Sequence, residues 1–348
     1  MPCDPRQPGE IAAATLEWIR ENVPGARDAD WDAPLAPASG GMTTFIWFGR
    51  LRGGELPDAF RAPLALRVFG DVGEDVTLER ESAVLAFVAA RGFPAPAPLA
   101  TVVSESENPV GLPWMVLPRL PGVPLLTVVA KAPWAAPARM RELAAIQAQL
   151  HAIPIDGAPL DTTGPLVDRW FAERGPEIEG LGDARADAVY ETLRRRAGIV
   201  RDEAPVMCHG DFHPLNVLSC RTDAGWRHAV IDWTDAVLGD RHFDVARTLA
   251  LFRVAAIAAG STVERVALQV AAPGLARTYR RAYERVHPLD ADRLAYWSAA
   301  HFLRGWAQIT QLHRGAYEST RADADAIPLT VADAVLGRAQ RAVRALPN

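Results

Sequence analysis

Lysine is nearly missing from this chain: Lys131 is the single lysine among 37 Lys plus Arg residues in 348. No block of clustered cations occurs and the net charge is -5. That excludes an electrostatic grip on nucleic acid, which depends on grouped cations displacing counterions from phosphates. Cysteine is scarce too. Cys3, Cys208 and Cys220 are odd in number and lack CxxC spacing, so neither a disulfide framework nor a zinc or redox site is expected. They read as reduced thiols of a cytoplasmic protein. No apolar run approaches the roughly 18 to 20 residues of a membrane span. The polar start MPCDPRQPGE has no apolar segment behind basic residues, so neither export nor membrane insertion is expected. Internal repeats are absent as well.

What is present is a hydrophobic alphabet of 49% over 348 residues, enough to bury the cores of two domains. Ile11, Leu16, Trp18 and Ile19 share a helical stripe, predicting a leading helix over 8–23. The texture then changes. TTFIWFGRL (43–51) and APLALRVF (62–69) are aromatic and β-branched runs separated by RGGELP, which predicts neighbouring antiparallel strands. Residues 74–91 carry Leu78, Leu85 and Val88 on one stripe and end at Gly92 and Pro94, a helix with its stop signal. Strand-like pieces follow near 98–104 and 112–118. Beyond PRLPG (118–122) the pattern is helical, apart from a β-rich island at 205–234. The expected class is α+β, with an N-terminal lobe over 1–118 and a larger C-terminal lobe over 119–348, which the motifs below make the nucleotide-binding lobe and the catalytic and acceptor-binding lobe. The first holds a small antiparallel sheet; the second is mainly helical, with a small β-hairpin.

The chemistry concentrates in CHGDFHPLNVL (208–218) and AVIDWT (229–234). Asp211 and Asn216 stand five apart, and Asp232 ends an apolar run sixteen residues later. Phosphoryl transfer needs this set. Asp211 is suited to accept the proton of a hydroxyl, and Asn216 and Asp232 offer oxygen ligands to Mg²⁺.

HGDFHPLN resembles the HGDxxxxN catalytic loop of the aminoglycoside phosphotransferase and choline kinase superfamily, relatives of protein kinases. Ile231-Asp232-Trp233 is similar to the family's metal-binding IDW or IDF. Gly239-Asp240-Arg241-His242-Phe243-Asp244-Val245-Ala246 is similar to its GDPxxDLA, with arginine in place of proline. The resemblance spans roughly residues 35 to 310 and is weakest in the helical substrate region. It implies a bilobal protein-kinase-like fold, ATP or GTP as donor, Mg²⁺ as cofactor, and a small-molecule alcohol as acceptor. It also gives His209 a structural part in the loop. Asp240 and Asp244 read by themselves as caps of the helix VARTLALF, and the resemblance adds a bracing role beneath the loop. His213 is a candidate contact for phosphate or substrate, with loop surface an equal reading.

In the first lobe, Glu81 falls between Leu78 and Leu85 on the apolar stripe, and a buried acid needs a cation. Arg67 of LALRVF stands where kinases place the strand lysine that pairs with a helix glutamate. Its guanidinium also suits phosphate oxygens bidentately. Ser39, Gly40 and Gly41 are expected to let backbone amides approach the nucleotide. Trp114–Gly122 resembles the hinge that cradles adenine; Pro118 has no N–H, so the base would meet the amide of Leu117 or Arg119. Acceptor-lining candidates are Asp168, Trp170 and Glu173 on one helix and Tyr296, Trp297, His301, Arg304 and Trp306 on another, although aromatics at helical spacing are more often core. An antibiotic acceptor (aminoglycoside, macrolide or cyclic peptide) is favoured over a metabolic alcohol such as choline, homoserine, a sugar or a hydroxyacyl thioester. Thr234 and Asp235, following IDW, are similar to the IDWT segment of macrolide phosphotransferases. A catalytically lost binding module is the rival from another class, and the completeness of the polar set weighs against it. A protein kinase is disfavoured because only six residues separate Trp233 from Asp240, leaving no peptide-docking segment. The expected assembly is a monomer or homodimer.

Overall fold

A computed structural model describes residues 2–38, 44–70, 74–103, 108–258, 262–314 and 328–347. Ser39, Gly40 and Gly41 lie outside the described residues. The chain divides into two compact units, Met1–Gly122 with Leu218–Thr234, and Val123–Val217 with Asp235–Asn348.

The first unit begins with α1 (Pro8–Asn22), whose Pro8 occupies the first turn, where a missing N–H costs nothing. Strands β1 (Asp30–Trp31) and β4 (Leu51–Arg52) pair with each other. The main sheet is antiparallel with order β2-β3-β5-β7-β6, built from β2 (Ala36–Pro37), β3 (Thr44–Gly49), β5 (Leu64–Phe69), β6 (Ala100–Val102) and β7 (Trp114–Pro118). A short helix, α2 (Asp58–Arg61), precedes β5. Alternation along β5 sends Leu64, Leu66 and Val68 to one face and Arg67 to the other. The first three join Ile11, Ile19, Trp114 and Val116 in a buried core, and Trp18 of α1 meets the Trp114 ring edge-on at 5.4 Å. Helix α3 (Asp75–Ala90) buries Leu78, Glu81, Leu85 and Val88. Burial of its three apolar members stabilises by about 1.5–3 kcal/mol each.

The hairpin β10 (Val217–Thr222) and β11 (Gly225–Val230) groups, from Leu218 onward, with the sheet-bearing unit. This differs from the expected hairpin embedded in the helical lobe, and the first division falls at Gly122 rather than at 118. Two close approaches account for it. The Val230 N–H donates to Pro94 O at 2.7 Å. Gly122 has φ 114°, and a Cβ there would lie 2.6 Å from Ser219 O, so the backbones meet where no side chain fits.

The second unit contains β8 (Val123–Pro124), α4 (Leu125–Lys131), α5 (Ala136–His151), α6 (Leu166–Glu179) and α7 (Ala184–Arg195). Strand β9 (Val206–Cys208) pairs antiparallel with β12 (Val237–Gly239). Helices α8 (Arg241–Ala258), α9 (Thr262–Glu284), α10 (Ala291–His313) and α11 (Leu329–Arg344) complete it. Asp290 caps α10, accepting from the N–H groups of Asp292 and Arg293 at 2.9 Å, the arrangement that satisfies otherwise orphaned amides of a first turn. Helix α10 packs on α8 and α11, and α5 packs on α9. No helix among the described residues is long and apolar enough to cross a membrane.

Candidate active site

In the first unit the polar set assembles around Arg67, on the sheet face opposite the α1 core. Its Nη1 donates to Glu81 Oε1, Nη2 to Thr234 Oγ1 at 3.1 Å and to Asp232 Oδ1 at 3.4 Å, and Nε to Thr44 Oγ1 at 3.2 Å. Burial opposes the charge on Arg67, yet Glu81 and Asp232 outweigh it and raise the guanidinium pKa. Glu81, 1% exposed, also accepts the Trp233 N–H at 3.1 Å and the Thr234 hydroxyl at 3.0 Å. The helix glutamate therefore positions the strand arginine and the 232–234 turn together.

Asp232 has φ 66°, the one positive φ outside glycine among the described residues. That conformation is uncommon for a residue with a side chain, though aspartate tolerates it better than most. It turns a carboxylate outward, 48% exposed, while its neighbour Trp233 is buried at 1%. The Trp233 indole donates to Val230 O at 3.1 Å and meets Phe93 edge-on, so it packs inside the unit.

The expected hinge amides are engaged elsewhere. The Arg119 N–H donates to Pro63 O at 2.8 Å. Ala65 pairs with Leu117 two residues along the same register. Hydrogen-bonded pairs alternate in an antiparallel ladder, so the Leu117 N–H also turns toward β5. This corrects the expectation that either amide meets adenine; Pro118 falls in the position whose N–H would point away. The Arg119 guanidinium stacks 4.0 Å above the Phe48 ring.

In the second unit, residues 209–216 form the loop after β9. Asp211 accepts from Arg247 Nε on Oδ1 at 2.8 Å and from His213 Nε2 on Oδ2 at 3.3 Å. Burial raises its pKa, but Arg247, the His213 hydrogen bond and Arg304 overcome that and hold the carboxyl well below its ordinary range. The Asp211 N–H donates to His209 Nδ1 at 3.3 Å, and its carbonyl accepts from Asn216 Nδ2 at 3.0 Å. The Asn216 amide oxygen is thereby left to another partner.

Asp244 braces this loop from α8, accepting the N–H groups of Gly210 at 2.8 Å and His209 at 3.1 Å. Gln147 and His151 donate at 3.0 Å to Oδ2, the oxygen that also takes the His209 N–H. Asp240 accepts the Trp297 indole N–H at 2.8 Å and the His242 N–H at 2.7 Å. Sequence reasoning missed Arg247 and Thr248. Their signal was the i, i+3, i+4 spacing of Asp244, Arg247 and Thr248 within the otherwise apolar stretch 243–252 of the helix, which puts three polar groups on one face.

The acceptor-lining candidates are corrected. Tyr296, Trp297 and His301 are 1%, 0% and 1% exposed. Tyr296 donates to Leu193 O at 2.9 Å and His301 Nε2 to Phe243 O at 2.8 Å. The stripe on α10 faces the interior because α8 and α11 cover it. Trp170 and Trp306 are buried likewise, and Asp168 is held bidentately by Arg201 at 2.6 and 2.7 Å. Arg304 instead pairs with Asp235 at 2.6 Å, while Glu173 pairs with Arg174 at 2.9 Å.

A strand arginine paired to a helix glutamate, and an HGD loop braced by the aspartate of the following helix, define a kinase-like phosphotransferase that uses a hydroxyl acceptor. The sequence places it more narrowly. Residues 56–297 match the profile of the phosphotransferase enzyme family, and the chain belongs to that family. Its fold is similar to that of an aminoglycoside phosphotransferase, a thermostable mutant solved with AMP-PNP and hygromycin B (TM-score 0.64, 19% identity, 95% of this chain and 98% of that one). A macrolide 2′-phosphotransferase from Brachybacterium faecium (0.55, 21%, 90% and 97%) is also similar. So is an ethanolamine kinase from Plasmodium vivax (0.58, 14%, 94% and 86%). No curated protein matches the sequence.

Proposed function

We propose that this small-molecule phosphotransferase moves the γ-phosphoryl group of ATP or GTP to a substrate hydroxyl, with Asp211 orienting the hydroxyl and receiving its proton. The observation that carries the reading is the Asp211 carboxylate, ionised and fixed at its N–H, carbonyl and Oδ1 within the HGDFHPLN loop. Arg67, braced by Glu81, would hold nucleotide phosphates. Asn216 and Asp232 offer amide and carboxylate oxygens, the hard donors Mg²⁺ takes, and the outward turn of Asp232 supports that use. Held by these two residues, Mg²⁺ would supply screening of the charge that develops on the transferred phosphoryl group. The AMP-PNP in the aminoglycoside phosphotransferase structure supports a triphosphate donor.

For the acceptor, an antibiotic (aminoglycoside, macrolide or cyclic peptide) is favoured. A metabolic alcohol is the second reading, supported by the likeness to an ethanolamine kinase. A mass-spectrometric screen of antibiotics and metabolic alcohols with MgATP should reveal one phosphorylated product, lost in Asp211→Ala. Calorimetry should show weaker MgATP binding in Asp232→Ala. Undiminished phosphorylation by Asp211→Ala would refute the assignment.

A further inference from the structure

One face of α8 grips four consecutive residues of the catalytic loop. Asp244 takes the backbone amides of His209 and Gly210, Arg247 takes the side chain of Asp211 at 2.8 Å, and the Thr248 hydroxyl donates to Phe212 O at 2.7 Å. Of these, only Arg247 touches the carboxylate itself. Its side chain is 9% exposed, so the contact is sheltered from water and cannot be replaced by it cheaply. A second ion pair runs beside the first. Arg304 binds Asp235 at 2.6 Å, and Gly210 is pressed so closely on Asp235 that a Cβ there would lie 2.0 Å from its carbonyl oxygen. Arg247 and Arg304 repel each other, and Asp211 and Asp235 offset that repulsion.

We propose that Arg247 is a positioning residue for phosphoryl transfer, an inference that rests on the kinase reading above. By holding Oδ1 it fixes the rotamer of Asp211 and dedicates Oδ2 to the acceptor hydroxyl. Oδ2 is the oxygen with the long contact, 3.3 Å to His213, which an incoming hydroxyl can displace. Without Arg247 the carboxylate can rotate about its side-chain torsions while the loop backbone stays anchored by Asp244 and Thr248. Misplacement of a catalytic group by about 1 Å costs on the order of 10²-fold in rate.

The test uses the full chain and MgATP, with water as acceptor and ADP release as the readout, for wild type, Asp211→Ala, Arg247→Ala, Arg247→Met and Arg247→Lys. Arg247→Ala should lower kcat by about 10²-fold while leaving KM for MgATP nearly unchanged. Millimolar guanidinium should restore a large part of the lost kcat in Arg247→Ala, occupying the space the side chain vacates. It should do nothing for Asp211→Ala, and urea at the same concentration should not substitute. Arg247→Lys should fall between wild type and Arg247→Ala. If Arg247→Ala does not fold, Arg247→Met keeps the aliphatic stem in place and carries the same expected loss. A folded Arg247→Ala or Arg247→Met with wild-type kcat, in an enzyme that Asp211→Ala inactivates, overturns the positioning role alone. Wild type and Asp211→Ala releasing ADP equally, or, where water is not accepted, wild type phosphorylating no member of the acceptor panel above, overturns the kinase reading and this role with it.

Discussion

The Arg67–Glu81 pair permits a worked prediction about what holds the first unit together. Glu81 is 1% exposed and serves three donors: the Arg67 guanidinium, the Trp233 N–H at 3.1 Å and the Thr234 hydroxyl at 3.0 Å. In Glu81→Ala the Trp233 amide loses this hydrogen bond, and removing one partner of a buried polar group costs about 1–3 kcal/mol. The guanidinium keeps the 3.4 Å contact to Asp232, the Thr44 and Thr234 hydroxyls and its place 5.2 Å over the Phe69 ring. Breaking a buried ion pair costs about 3–5 kcal/mol. The two figures overlap, and Asp232 offsets part of the second, so the expected loss is about 3–4 kcal/mol. In urea, with m of about 1–3 kcal/mol per M, the midpoint should drop by about 1–4 M at unchanged m. Arg67→Met/Glu81→Leu is the informative partner. It removes both charges and fills the space with apolar groups, and Asp232, 48% exposed, turns to water. The double variant should recover most of the stability lost in Glu81→Ala while binding MgATP far more weakly. A Glu81→Ala loss under about 1 kcal/mol, or a double variant less stable than Glu81→Ala alone, would refute the reasoning.

Two further outcomes are expected. Burial, with the charges of Arg247 and Arg304, holds His301 well below its ordinary pKa, and burial lowers His151 despite Asp244. The unfolded chain therefore binds protons there that the folded chain refuses, so stability is fully present above about pH 6.5 and is lost as pH falls below it. The slope should approach about 1.4 kcal/mol per pH unit for each histidine; urea melts that stay flat from near neutrality into the mildly acidic range would contradict this. Gly210 has φ 78° and no room for a Cβ against Asp235, so Gly210→Ala should lower the melting temperature and abolish turnover. An unchanged melt would show that the loop does not depend on that close approach.

Much of the site was legible because its residues are neighbours in sequence. HGDFHPLN and IDW stood out by spacing alone, since each is a short run within one loop or at the end of one strand. The glutamate on the apolar stripe of α3 was readable for a different reason: helical period makes Glu81 share the buried face of Leu78 and Leu85, and a buried acid demands a cation. The near absence of lysine then left arginine to supply it, and Arg67 does so.

Other features depend on what faces what. Helical spacing puts Tyr296, Trp297 and His301 on one stripe but is silent on whether that stripe meets solvent or a neighbouring helix, and packing of α8 and α11 decided for the interior. Spacing likewise groups Asp244, Arg247 and Thr248, while only the docking of α8 on the 209–216 loop turns Arg247 toward Asp211, 36 residues away. The hinge amides illustrate a third case. Whether Leu117 and Arg119 donate toward β5 or away from it is a matter of strand register, set by the pairing of whole strands. Local pattern thus determined which residues are chemically capable, the loop that carries them and the cation the chain must use. Long-range packing decided which of those residues are buried, which are paired, and that an arginine on a distant helix holds the carboxylate, because contacts between remote segments arise from the burial of whole faces and leave no periodic trace in the chain.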